Sequence, residues 1–263
     1  MKKTKIDRSI DTEALGFQVR ESYKTARTNI AYSIFKKGCK KVAFTSSTSG
    51  EGKTVTSINV ASALAQQVGT KVIVVECDLR RPRVNTALKI SPTPGITNYL
   101  NEECSLKEVT KDTKIENLKA ITYGAIPPNP SELLASEAMA ELIKTLEKDY
   151  DYIIFDTPPI GVVIDALPIM KASDGVVIVA RNNSTTYPEL ERTVEVIKRT
   201  DAKILGVILN RVKPHETRKG KGYYSRYGGY YKTETKTSRL RKHKLTGSSC
   251  PRRGKWNPQK AKV

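Results

Sequence analysis

The sequence predicts a doubly wound α/β fold, with a mainly parallel sheet flanked by helices and a disordered C-terminal tail. Three observations carry this. Short β-branched runs recur at residues 71–76, 151–156, 175–180 and 203–210, separated by stretches of helical periodicity. A loop of small residues joins the first apolar run to the helix after it. Past Arg211 the composition turns basic, Gly-rich and Tyr-rich, without enough apolar side chains to bury a core.

Taken in order, residues 1–11 are polar and expected to be flexible. Residues 12–37 form a helix whose apolar stripe is Leu15, Phe17, Val19, Ala26, Ile30 and Ile34, with Asp11 and Glu13 near its start. Glu21, Lys24 and Arg27 share one face of it. They form either an exposed ion-pair ladder, worth about 0.2–0.5 kcal/mol per pair, or a contact surface for another copy. A strand at 41–47, a helix at 54–67 closed by Gly69 and a strand at 71–76 make a βαβ unit, which requires a parallel sheet covered by helices. Residues 91–130 are less regular and contain two proline clusters. Ser131 is expected to cap a helix running to about Lys148. A strand at 151–156, a helix near 165–171, a strand at 175–180, a helix at 187–199 and a strand at 203–210 complete the body, placed at residues 12–212.

The charge is unevenly spread. The net value is +19, yet residues 211–263 hold 17 Lys and Arg against Glu216 and Glu234, leaving only +4 for the first 210 residues. A basic tail binds anionic lipid, nucleic acid or acidic protein, or is simply a solvated end. Cys39, Cys77, Cys104 and Cys250 have no CxxC spacing, and two histidines leave no zinc site to draw, as in a chain from a reducing cytosol. No apolar run approaches the ~18 residues of a membrane span, and no apolar stretch follows the early lysines as a secretory signal requires.

The chemistry centres on Ser47-Thr48-Ser49-Gly50-Glu51-Gly52-Lys53-Thr54-Val55. Strand, small-residue loop and helix in that order form a phosphate loop, and the fold is then of the P-loop NTPase type. Glycines let backbone N–H groups turn inward round an anion, and the helix N-terminus adds partial positive charge. Lys53 suits the β- and γ-phosphates of a nucleotide and the Thr54 hydroxyl suits Mg²⁺, which alone leaves an ATPase, a GTPase or a kinase open. Ser47 stands where the GxxxxGK[ST] pattern has its first glycine. Glu76 and Asp78 end the next strand, at the sheet end where ligands bind, one acid suited to Mg²⁺ and the other to an attacking hydroxyl. Tyr152-Ile153-Ile154-Phe155-Asp156 has the form of a Walker B strand, with Asp156 toward Mg²⁺. Asn210, ending the last strand, either reads an adenine edge or forms a turn.

These motifs resemble the cytosolic bacterial tyrosine kinases of capsule and exopolysaccharide export, the BY-kinases of the CpsD/CapB type. The resemblance spans roughly residues 10–231. It rests on the phosphate loop, the acidic strand at 72–83, the strand ending Asp156-Thr157-Pro158-Pro159, the stretch 124–134 and the tyrosine cluster Tyr223, Tyr224, Tyr227, Tyr230 and Tyr231. It implies an ATP- and Mg²⁺-dependent protein-tyrosine kinase with Lys53, Glu76, Asp78 and Asp156 as its catalytic set, and with Thr54, Asp78 and Asp156 on the metal. Glu76 would orient or deprotonate the incoming tyrosine. The resemblance also implies autophosphorylation of the 213–231 segment and regulation of polysaccharide export. Ring assembly would go through the helix at residues 12–37, turning Glu21, Lys24 and Arg27 into a subunit contact. A transmembrane polysaccharide co-polymerase adaptor would hold the kinase at the inner face of the cell membrane, and a tyrosine phosphatase would oppose it; no specific nucleic-acid partner is implied. Three features depart from the family: Glu76 stands for its usual Asp, Lys24 for an Arg, and residues 232–263 are a basic extension, either lineage-specific or a shifted reading frame. A partitioning or positioning ATPase of the ParA/MinD type is the alternative. It calls for a lysine early in the loop, and residues 46–49 offer none. A third reading is a scaffold using ATP only for assembly.

Overall fold

The computed structural model describes residues 16–212. The expectations for residues 1–11, for the start of the first helix, for Cys250, for the tyrosine cluster and for the basic extension lie outside the described residues.

Seven strands form one sheet in the order β3-β4-β2-β5-β1-β6-β7. They are β1 (Lys40–Ser46), β2 (Val72–Glu76), β3 (Thr110–Asp112), β4 (Leu118–Ile121), β5 (Tyr152–Asp156), β6 (Gly175–Arg181) and β7 (Ile204–Asn210). All neighbours pair parallel except β3 with β4. β1 lies inside the sheet between β5 and β6, and the chain leaves it for β2 on one side and reaches β6 on the other. The crevice beyond its C-terminal end is therefore a topological switch point, the usual ligand position in such sheets.

The β1 and β5 strands read as continuous apolar runs because both of their faces are buried. Val42, Phe44, Val74 and Ile154 pack with Ile30 and Ile34, Ile58 and Leu64, and Val84. These come respectively from α1 (Phe17–Ser33) and the residue after it, α2 (Lys53–Ala65) and α3 (Val84–Leu88). Ala43, Ile73, Ile153 and Phe155 face the opposite way, against Ile96, Leu142, Ile143, Met170 and Ile197. Those belong to α4 (Ile96–Leu100), α7 (Glu137–Asp149), α8 (Leu167–Ala172) and α9 (Tyr187–Lys198); α5 (Leu106–Val109) and α6 (Pro130–Leu134) are short connectors.

Two expectations change. The helix expected from Ser131 is two helices. Asn129 precedes α6, with Pro130 in its first turn, and Ser136 caps α7 by accepting the Met139 amide at 3.2 Å. The stripe on α1 is also only half used. Ile30 is buried and Ala26 partly so, but Phe17 and Val19 remain 50% and 44% exposed. Among the described residues no helix is long and apolar enough to cross a membrane.

Candidate active site

The phosphate loop leaves β1 and turns back on Gly50 and Gly52, whose φ angles of 86° and 95° lie in the left-handed region open to glycine. Gly52 immediately precedes α2, so the helix N-terminus opens onto the loop. Ser47 is accommodated in the first position because its side chain points away from the loop. Its Oγ accepts the Thr193 hydroxyl of α9 at 2.9 Å, and both residues are buried. Thr48 donates its amide to Glu51 at 3.0 Å, while Ser49 and Gly50 are exposed at the tip. Val55 turns its side chain outward, 43% exposed, so only its backbone faces the site.

Behind the loop the predicted charges converge. Lys53 Nζ meets Asp78 Oδ2 at 2.5 Å and stands 4.0 Å from Asp156 Oδ1. Thr54 donates its hydroxyl to Asp156 Oδ2 at 2.6 Å. Burial works against the Lys53 charge, but the Asp156 and Asp78 carboxylates outweigh it and raise its pKa. Burial pushes Asp156 up to about 6, against the pull of Lys53 and Thr54. The cause of this proximity is the sheet: β2, β5 and β1 are successive neighbours, and Glu76 pairs in register with Asp156.

Glu76 makes contacts that the sequence does not indicate. Its carboxylate is fully buried, and one oxygen accepts the amides of Arg83 and of Val84, the latter at 2.7 Å. The other accepts the Tyr123 amide at 3.1 Å. Glu76 thus ties the end of β2 to the start of α3 and to the chain leaving β4. Burial lifts its carboxyl to about 8 even though these amides favour the ionised form. Asp78, two residues past the end of β2, is the acid that faces the cluster, with its second oxygen accepting the Arg81 amide at 3.1 Å. Cys77 between them is fully buried, and burial raises its thiol well above the ordinary range.

Asn210 reaches the loop, but not as a free amide. Its Nδ2 donates to the Glu51 carbonyl at 2.9 Å and its Oδ1 accepts the Arg211 amide at 2.8 Å. A side chain on Gly52 would meet that Nδ2 at 2.1 Å, so the loop and the end of β7 are in close contact. On α1, Glu21 and Lys24 pair at 2.8 Å, but Arg27 leaves the ladder and donates to the Ala63 carbonyl at 3.2 Å, tying α1 to α2.

Three further groups had no signal in the sequence. Asp165, buried, receives Arg80 through Nε at 2.5 Å and Nη2 at 3.2 Å, and also the Ser131 hydroxyl. Arg80 holds the Asp165 carboxyl below its usual range. This joins the loop after β2 to the loop after β5. Thr185 donates its hydroxyl to Glu51, and Thr193 secures Ser47.

The residues present suit a magnesium nucleotide. Asp156 Oδ1 is buried without a hydrogen-bond partner, beside the Thr54 hydroxyl and Asp78. Two carboxylates and a hydroxyl are an oxygen set of the kind Mg²⁺ takes alongside phosphates and water. No cluster of three or more His, Cys, Asp or Glu suited to a metal occurs among the described residues.

Residues 39–207 match the family model described as an AAA domain. The tyrosine-protein kinase YwqD of Bacillus subtilis is 38% identical over 214 residues, which are 81% of this chain and 86% of that protein. The chain belongs to the bacterial tyrosine kinases of the CpsD/CapB family. The tyrosine-protein kinase CpsD of Streptococcus agalactiae is 35% identical over 83% of this chain and 93% of its own length. The solved chimerical protein CapA2B2 superposes with a TM-score of 0.73 at 33% identity, over 80% of this chain and 92% of that one. The cell division ATPase MinD of Pyrococcus furiosus, at 23% identity and a TM-score of 0.57 over 68% of this chain and 78% of its own, shares the fold alone. The mainly parallel P-loop sheet expected of a tyrosine kinase of this family is the one observed.

Proposed function

We propose that this kinase transfers the γ-phosphoryl group of ATP to tyrosines of its own C-terminal cluster, Tyr223, Tyr224, Tyr227, Tyr230 and Tyr231, and thereby regulates capsular or exopolysaccharide export. The observation that carries the proposal is the convergence of Lys53, Thr54, Asp78 and Asp156 at one end of the sheet. Lys53 and the loop amides that follow Thr48, those of residues 49–54, hold the phosphates. Thr54, Asp78 and Asp156 hold Mg²⁺, which when bound offsets the charge on the transferring group. The phenolic oxygen forms the new O–P bond, the bond to the bridging oxygen of ADP breaks, and ADP departs. The phenolic proton passes to a carboxylate. Asp78 is favoured for that role over Glu76 because its carboxylate faces Lys53 in the cluster, whereas that of Glu76 is turned onto the Arg83, Val84 and Tyr123 amides.

Tyr223 lies 13 residues beyond Asn210, a span of at most about 45 Å when extended. Such a reach supports transfer into a neighbouring subunit of a ring built through α1. Glu21 and Lys24 are available on its surface, and Arg27 braces it on α2. Each phosphate adds about −1.5 to −2 charge, so several would offset much of the tail's +15 and release the ring. The likeness to a chimera named CapA2B2 supports a CapA-type adaptor as the partner that holds the kinase at the membrane. A tyrosine phosphatase would reset the cycle.

The test is incubation of the full chain with Mg-ATP and an adaptor fragment, followed by phosphotyrosine blotting and phosphosite mass spectrometry. Phosphate on the 223–231 cluster that is lost in Lys53→Met supports the proposal. ATP turnover without phosphotyrosine, or phosphotyrosine surviving Lys53→Met, overturns it.

A further inference from the structure

A glutamate inside a phosphate-binding loop is electrostatically out of place. Glu51 sits between the two left-handed glycines, Gly50 and Gly52, in the segment whose amides must face phosphate oxygens. Its side chain is nevertheless 1% exposed and fully engaged. One oxygen accepts the Thr48 amide at 3.0 Å, and the other accepts the Thr185 hydroxyl. The carboxylate therefore already occupies one loop amide, and a single hydroxyl from the turn after β6 holds its other end.

That hydroxyl is itself oriented. Thr185 Oγ1 accepts the Arg181 amide at 2.7 Å, which leaves its proton for Glu51. The turn is closed by the Ser184 and Thr185 amides on the Arg181 carbonyl, at 3.1 and 3.0 Å. It is stapled to β7 by the Asn182 amide on the Asn210 carbonyl at 2.9 Å, and Asn210 in turn grips the Glu51 carbonyl. The loop is thus held from the side of β6 and β7 at both the backbone and the side chain of Glu51.

We propose that Thr185 is a positioning residue that parks the Glu51 carboxylate away from the phosphate hollow, and so sets the affinity of the loop for nucleotide phosphates. Without the Thr185 hydroxyl the carboxylate is free to turn onto other loop amides, where it competes with phosphate for the same donors and repels its charge. A carboxylate brought to about 4 Å of a phosphate repels it as well as taking its donors, so the affinity should fall about tenfold. The proposal rests on the reading that residues 47–54 bind nucleotide phosphates.

The experiment is fluorescence titration of the full chain with a mant-labelled ADP and Mg²⁺, together with hydrogen exchange of the 46–54 segment in nucleotide-free protein. Thr185→Val should weaken binding about tenfold and raise exchange in the loop, while Thr185→Ser should preserve both. Adding Glu51→Gln to Thr185→Val should restore binding to within about threefold of native, because the competing charge is gone; a merely structural role for Thr185 predicts no such rescue. Native-like binding in Thr185→Val, or no recovery in the double variant, overturns the proposal. A native chain that binds no nucleotide overturns the phosphate reading and this proposal with it. The exchange measurement tells that case apart, since it reports whether Thr185 anchors the loop without any ligand.

Discussion

Lys53 and Asp78 form a largely buried ion pair at 2.5 Å, and the same ammonium stands 4.0 Å from the orphaned oxygen of Asp156. One cation therefore serves two carboxylates that the sheet brings together from β2 and β5. The side chain proposed to bind phosphate is therefore also the counter-charge of the acid pair.

Lys53→Met should abolish tyrosine phosphorylation and also destabilise the nucleotide-free protein. It leaves two buried carboxylates facing each other with no counter-charge, a loss of about 3–5 kcal/mol at pH 8. The loss should shrink near pH 5.5, where Asp156, with its pKa already lifted to about 6, takes up a proton. Urea denaturation of native and variant protein at the two pH values measures this.

Glu76 makes the stability of the metal-free protein depend on pH. Its carboxyl is raised from 4.5 to about 8, chiefly by burial. The folded state thus binds the proton more tightly than the unfolded chain does. The associated stability is fully present below about pH 4.5 and is lost as pH rises through 8, at up to about 1.4 kcal/mol per pH unit. Denaturation in EDTA between pH 5 and 8 should show this slope, and Glu76→Gln should flatten it. The same variant should keep measurable phosphotransfer, whereas Asp78→Asn should not.

Two nearby serines should behave differently. Ser136 caps α7, so Ser136→Ala should cost about 1 kcal/mol and lower helix stability without touching the site. Ser131 instead donates to Asp165, which also holds Arg80. Asp165→Asn should cost about 1–2 kcal/mol, since half-exposed Arg80 can rehydrate, and should slow phosphotransfer by loosening the loops that carry Asp78 and Asp156. Thermal melts paired with initial rates separate Ser136→Ala from Asp165→Asn.

Gly161 presses the loop after β5 onto the start of the phosphate loop. A methyl there would lie 2.2 Å from the Ser47 carbonyl oxygen, which is backbone and cannot swing aside. Gly161→Ala should therefore cost about 1–3 kcal/mol and weaken nucleotide binding, although residue 161 belongs to no recognisable motif. Calorimetric titration with ADP and Mg²⁺ on the variant measures the second effect.

Much of the site was legible because its parts are local. Lys53 and Thr54 follow a glycine loop, and Asp78 and Asp156 stand at or just past strand ends, so their meeting follows from a parallel sheet. Glu76 was legible as a strand-terminal acid but not in its role. Its partners Arg83, Val84 and Tyr123 are backbone amides, which carry no side-chain signature. Ser131 misled because its sequence context suits a cap, while Asn129 and Pro130 already start the short helix and Ser136 starts the long one.

By itself, the sequence determined the alternating α/β order, the phosphate loop and the acids beyond the strands. Strand and helix periodicity, glycine conformational freedom and chain reversal are all set within a few neighbouring residues. Only the tertiary structure decided that Glu76 is a backbone tie, that Arg80 and Asp165 lock across 85 positions, and that Thr185 holds Glu51 across 134. Those choices depend on which strand lies beside which and on how buried charges find partners once water is removed, and no local stretch of chain records either.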